Sequence, residues 1–116
     1  MAPRRRGLEI RFKDARLREL CERQAVATRK LGDAVARKLR ARLADLCAAS
    51  TVADLTAGRP HQLKHDRAGQ YAVDLHGGVR LVFEPANDPV PRRQDDGIDW
   101  AAVTIVSIEY IGDYHD

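Results

Sequence analysis

Three short clusters hold the residues best suited to moving protons and gripping an anion. The first is His61-Gln62-Leu63-Lys64-His65-Asp66-Arg67, a polar run just ahead of an alternating segment, where binding residues often sit. The second is Arg80, set between Val79 and Leu81 in an otherwise apolar stretch. The third is Asp113-Tyr114-His115, which follows a strongly apolar strand pattern. There is no carboxylate cluster, no HExxH, no GxSxG and no phosphate-binding glycine loop, so neither a metal nor a cofactor is expected. The remaining inventory of cations, tyrosine and histidine suits metal-free cleavage of RNA. There a 2′-hydroxyl must lose a proton, and the departing 5′-oxygen must gain one. Histidine titrates near neutrality and can serve either transfer. Arginine or lysine donors stabilise the charge that gathers on the phosphate.

Each residue also has an ordinary role open to it. A histidine near a chain end can simply be solvated. Arg80 can pair with Asp74 across a hairpin, Lys64 and Arg67 can cover a strand end, and Tyr110 and Tyr114 can pack at a sheet edge. The functional reading requires the three clusters to meet on one sheet surface.

The elements that would position them follow from periodicity. Leu8, Ile10 and Phe12 alternate with charged residues and predict a short strand. Asp14 can cap a helix carrying Leu17, Leu20, Cys21 and Val26, which Gly32 ends. Asp33 can cap a second helix with Val35, Leu39, Leu43 and Leu46 on its apolar face, Ala36 and Cys47 beside it. Arg37, Lys38, Arg40 and Arg42 fill the rest of that helix, giving a helical hairpin with a basic outer surface. A short helical turn follows from Ser50 or Thr51 to Leu55, ended by Gly58 and Pro60.

The second half changes period. Tyr71, Val73 and Leu75 form one strand and Val79, Leu81 and Phe83 the next. Gly77-Gly78 reads as a two-residue turn, placing Arg80 opposite Leu75 and beside His76. Residues 85–99 form a polar, proline-containing loop whose end Trp100 anchors. Val103 to Ile108 is a central strand, with Val103 and Ile105 on one face and Val106 and Ile108 on the other. The expected fold is α+β: an N-terminal strand, a helical hairpin plus short helix, then a mainly antiparallel sheet.

The chain has 116 residues with 20 Lys+Arg against 17 Asp+Glu, a length that suits one domain over 1–116. Charge is unevenly divided: residues 1–50 carry a net of +8 and residues 51–116 a net of −5. A basic half is the usual footprint of a polyanion partner, although solvated helix faces give the same count. Residues 1–7 read as a flexible basic N-terminus. No apolar segment follows it, so no membrane association is expected and the chain is expected in the cytoplasm. Cys21 and Cys47 both sit beside leucines and read as small buried hydrophobes with reduced thiols.

The string HxLKxDRxGxYxVxLxGxxRLxF over residues 61–83, with EYIGDYH over 109–115, resembles the HigB-type toxins of the RelE/ParE superfamily. FEPANDP (83–89) and GIDW (97–100) resemble a longer-loop branch of that family. The likeness runs from about Leu8 onward and leaves Arg4–Arg6 outside. It implies a RelE-like fold and a type II toxin–antitoxin toxin, a ribosome-dependent endoribonuclease cutting translated mRNA in the A site. It further implies a HigA-like helix-turn-helix antitoxin, and operator DNA bound through the toxin–antitoxin complex.

Carried over by position, His115 is the acid/base residue and Asp113 and Tyr114 orient it or the RNA. Arg80 and Arg67 hold the scissile phosphate, with Lys64 and His61 beside them. Arg37, Lys38, Arg40 and Arg42 contact ribosomal RNA. Some relatives carry an arginine near the place of His76, so this histidine stands in for a phosphate-binding cation or leaves one out. His65 replaces a frequent glycine, and Asp116 adds a negative charge after His115. ParE-like relatives share the scaffold and inhibit DNA gyrase by binding alone. The Tyr-His ending favours the nuclease over that reading, and over a degenerate member that only binds antitoxin or operator.

Overall fold

The computed structural model describes residues 7–113. Arg4–Arg6 and the candidates Tyr114 and His115, with Asp116, lie outside the described residues. The chain runs β1 (Glu9–Phe12), α1 (Ala15–Glu22), α2 (Gln24–Leu31), α3 (Asp33–Ala48), a 3-10 turn at Val52–Asp54 and β2 (His61–Gln62). A second such turn (His65–Arg67), β3 (Tyr71–Asp74), β4 (Val79–Pro85), a third turn (Trp100–Ala102) and β5 (Ile105–Asp113) follow. The sheet order is β1-β5-β4-β3-β2. Among the described residues β1 and β5 run parallel and the other pairs are antiparallel.

Asp14 caps α1 as its position predicts, its carboxylate accepting from the Leu17 N–H at 2.9 Å. The expected single first helix is instead two. Arg23 adopts an extended backbone (φ −117°, ψ 104°), closing α1 and opening α2. In one straight helix Val26 would lie about 120° round from Leu20 and face outward. The break re-aims it, so that Leu17, Leu20, Val26 and Ala27 are all buried. Gly32, at φ +86°, turns the chain into α3 and takes the N-cap position expected of Asp33, which is the first helical residue. Ala36, Leu39 and Leu46 are buried, while Val35 and Leu43 are less so.

The helices cover one face of the sheet. Leu81 and Phe83 of β4, Val73 of β3 and Val106, Ile108 and Ile111 of β5 meet them in a single apolar core. Trp100 joins that core at the end of the 85–99 loop, its ring 4.7 Å from Tyr71. Val103 precedes β5 and packs in the same core as Val106, not on an opposite face. The strand also runs on to Asp113, past the expected end. A second, smaller apolar cluster of Leu63, Ala72 and Val82 lies apart from this core, with Tyr110 against it. The cysteine expectation fails for Cys47, which is exposed because it falls just past the buried stripe of α3. Cys21 is half-buried.

Candidate functional site

A bulge in β5 decides which residues reach the helix-free face. Val82 pairs with Tyr110 but Phe83 pairs with Ile108, so one residue of β5 is left over between them. Before the bulge even-numbered residues point at the helices, as Val106 and Ile108 do; after it Ile111 does. The shift turns Tyr110 and Gly112 to the helix-free face, where β4 presents Arg80, Val82 and Glu84. Pairing lines these up as two rows across the strands: His61, Ala72, Val82 and Tyr110, then Asp74, Arg80 and Gly112. The floor is Ala72 and Val82, both buried with Leu63 and covered by Tyr110, and cations stand around it.

The hairpin register differs by one residue from the expected one. Arg80 pairs with Asp74, not Leu75, because Leu75 N–H bonds the Val79 carbonyl at 2.8 Å. His76 consequently sits in the turn, exposed and away from Arg80's strand position. Gly77 and Gly78 have φ +64° and +85°, the left-handed values a tight turn needs here. The one-residue change brings a carboxylate to Arg80: its Nε donates to Asp74 Oδ1 at 3.2 Å. Arg59 Nε donates to Asp74 Oδ2 at 2.8 Å. Burial pushes the Asp74 carboxyl up, but the Arg59 hydrogen bond and the charges of Arg59, Arg80 and His61 outweigh it. The net shift is below the ordinary value.

On the other side of the floor, the Arg67 guanidinium lies over the Tyr110 ring, 4.6 Å from its centroid. Arg67 Nη1 donates to Gln70 Oε1 at 3.2 Å, and Gln70 Nε2 donates to Glu84 Oε1 at 3.1 Å. The Tyr110 ring folds down over Gly112: a Cβ built on that glycine would stand 2.7 Å from the ring carbon Cζ. The three-residue turn that delivers Arg67 begins with His65 at φ +56°.

The sheet therefore brings Arg67, Arg80 and His61 to one face. His61 holds the backbone carbonyl of Arg59 through Nδ1 at 2.8 Å. Lys64 is exposed just before the Arg67 turn. Asp113 does not share that face: it pairs with Val79, in register with the helix-facing residues, and its carboxylate lies beside Gly78. The basic residues of α3 also divide. Arg37, Lys38 and Arg40 are exposed, Arg37 held by Asp33 at 2.8 Å. Arg42 is only 16% exposed, pairs with Asp45 at 3.2 Å and packs under Gly58, so it does not belong to the outer basic surface.

Motif and periodicity give two contributors no role in the site. Tyr110 reaches this face only through the bulge, which no local pattern announces. Arg59 stands between Gly58 and Pro60, residues that signal a turn and nothing more; the structure gives it φ +50°, a left-handed value uncommon outside glycine. Among the described residues no group of three metal-ligating side chains occurs, and no helix is long and apolar enough to cross a membrane.

No family profile matches the chain, and no curated protein is similar to it in sequence. A solved structure shares its fold: a YoeB-YefM complex from Staphylococcus aureus. The TM-score is 0.55 with 15% identity, covering 94% of this chain and 98% of that one. The RelE-like α+β fold expected from the sequence is the fold observed.

Proposed function

We propose that this chain is the toxin of a type II toxin–antitoxin pair, a HigB-type member of the RelE superfamily that cleaves translated mRNA in the ribosomal A site. One observation carries the reading: Arg67 and Arg80 come from separate elements to the same helix-free face, with the Arg67 guanidinium over the Tyr110 ring. Two guanidinium groups brought to one face suit the transition-state phosphate of RNA cleavage, whose extra charge they stabilise. His115 supplies the acid/base group and Tyr114 orients it or the RNA. Lys64 and His61 lie nearby along the chain path as further phosphate contacts. Arg37, Lys38 and Arg40 give α3 a polyanion-binding surface for ribosomal RNA, which makes ribosome binding salt-dependent. The partner is a HigA-like helix-turn-helix antitoxin, and operator DNA is bound through their complex. The shared fold with the YoeB-YefM complex supports a protein partner.

The test maps mRNA 5′ ends in a purified translation system, with ribosomes present or absent. The expected result is cuts that require ribosomes and vanish with His115→Ala and with Arg80→Ala, both still folded. Undiminished cleavage by both variants overturns the residue assignment. No cleavage from folded protein that still arrests growth overturns the nuclease reading and favours gyrase binding of the ParE kind. No cleavage with tight antitoxin binding and no growth arrest favours a degenerate member.

A further inference from the structure

The network that fixes Arg67 continues away from the phosphate-binding floor. Gln70 bonds Arg67 with its oxygen and Glu84 with its nitrogen, so both amide ends are committed in one orientation. Beyond Glu84 a cleft of about 400 Å³ opens between the 66–70 turn, the end of β4 and the 85–99 loop. Its polar lining is Glu84, Asp66, Gln70 and Arg92, and Val90 and Ile98 supply apolar wall. The loop wall is braced: Arg92 pairs with Ile98 as an isolated bridge, and the Arg93 N–H bonds the Gly97 carbonyl at 2.8 Å. Trp100, buried in the core, ties down the loop's far end.

The cleft's chemistry is unlike that of the floor beside it. Two carboxylates disfavour a phosphate there. An ionised carboxylate only accepts hydrogen bonds, so Glu84 and Asp66 call for a ligand that donates. Arg92 spends one N–H on the Asp96 carbonyl at 3.2 Å and carries further donors for an acceptor on the same ligand. Apolar wall suits the face of a ring. Unpaired RNA bases are read in this way, by contact on their faces and hydrogen bonds on their edges.

We propose that this cleft binds a guanine base of the RNA strand, next to the phosphate held by Arg67. Guanine presents adjacent N1–H and N2–H donors, which match the two oxygens of one carboxylate. Its O6 and N7 accept from a guanidinium. Adenine and cytosine offer an amino group without the neighbouring ring N–H, and uracil offers the ring N–H without the amino group. The inference rests on the proposed function for its ligand class, and gives the face its base selectivity: Arg67 and Arg80 take backbone, Glu84 takes the base.

The test titrates the full-length chain with the four nucleoside 5′-monophosphates, with ribose 5-phosphate as the control. The Gln70 side-chain amide and Arg92 Nε–H resonances are followed by NMR. GMP is expected to move both saturably, at least tenfold more tightly than AMP, CMP or UMP. Glu84→Gln keeps an acceptor for Gln70 but replaces the carboxylate, and is expected to bring the four nucleotides within twofold of each other. Asp66→Asn, an exposed substitution that leaves the sheet untouched, is expected to weaken GMP severalfold. Equal binding of all four nucleotides overturns the proposal. So does the same response to ribose 5-phosphate, or undiminished guanine preference in folded Glu84→Gln. None of these readings requires cleavage, so failure of the base site and failure of the nuclease reading are distinguishable.

Discussion

Asp74 and Arg80 face each other across the β3–β4 hairpin, joined at 3.2 Å, and the same carboxylate holds Arg59 at 2.8 Å. The arginine best placed to bind phosphate is thus oriented by an internal anion, which an incoming phosphate must share or displace. Asp74→Asn removes that competition. It is expected to tighten binding of a short RNA at low salt, and Arg80→Ala in the same background is expected to cancel the gain. Fluorescence titration of the two single variants and the double variant closes the cycle. A gain that survives Arg80→Ala would place the competing anion's effect elsewhere.

The same carboxylate gives a pH prediction with a fixed sign. Its folded value is depressed, the opposing effect of burial being outweighed by Arg59, Arg80 and His61. The pairing therefore stabilises the fold at pH above the ordinary carboxylate range. That contribution disappears as pH falls through the depressed folded value. Its size is about 1 kcal/mol or less, given the partial exposure of all three groups. Urea unfolding between pH 7 and pH 2 is expected to show the wild-type advantage over Asp74→Asn shrinking on the acid side. An advantage that grows as pH falls would reverse the sign and remove the pair as its source.

Gly112 leads to a sharper prediction about Tyr110. Its backbone has no left-handed requirement, and the nearest atoms an alanine methyl meets belong to the tyrosine, with Cζ at 2.7 Å. The ring must swing off the sheet, and Arg67 loses the face on which it lies. Gly112→Ala is expected to fold yet to match Arg67→Ala in RNA cleavage and binding. Arg67→Lys is expected to fall close to Arg67→Ala as well, because an ammonium has no plane to stack and no fork to offer. Tyr110→Phe keeps the ring and is expected to keep most activity. Full activity in Gly112→Ala would show that the stack is dispensable.

Much of this frame is legible in residue types whose consequence is local. Asp14 announces a helix start, Gly77-Gly78 a tight turn and Trp100 the end of a polar loop, each through its own chemistry. What escapes the sequence depends on partners far along the chain. The break at Arg23 exists so that Val26 can reach a core built from other elements. The hairpin register turns on one hydrogen bond between Leu75 and Val79, and a one-residue slip decides whether Arg80 meets Leu75 or Asp74. Tyr110 belongs to the site because β5 bulges against β4, a property of the pair rather than of either strand. The Arg67–Arg80 face could be suspected from motifs, but its floor, its Asp74 anchor and its neighbouring cleft required the pairing.

The two thiols differ in environment, and their reactivity should differ accordingly. Burial, helped by the charge of Glu22, pushes the Cys21 thiol up to about 12, so it is protonated throughout the neutral range. Cys47 is exposed. Titration with a disulfide reagent at pH 8 is expected to modify one thiol rapidly in the native protein and the second only on unfolding. Cys47→Ser should abolish the fast phase. Two equally fast thiols in native protein would contradict the packing of Cys21 against the core.

The division among the α3 cations predicts two separable behaviours. Arg37 and Arg40 are exposed, so Arg37→Glu and Arg40→Glu are expected to leave stability within about 0.5 kcal/mol of wild type. If α3 binds ribosomal RNA, each charge reversal weakens ribosome association. Each also lowers the slope of log affinity against log salt, by about 1 for every phosphate that is no longer neutralised. Arg42 behaves in the opposite way. Its stem packs under Gly58 and its head pairs with Asp45, so Arg42→Ala removes packing as well as charge. It is expected to cost about 1–2 kcal/mol of stability, with a salt slope equal to that of wild type. Ribosome co-sedimentation across a salt series, run beside urea unfolding, measures both quantities. A lowered slope with intact stability in Arg42→Ala would return that residue to the binding surface. Unchanged slopes in Arg37→Glu and Arg40→Glu would move the polyanion-binding surface away from α3.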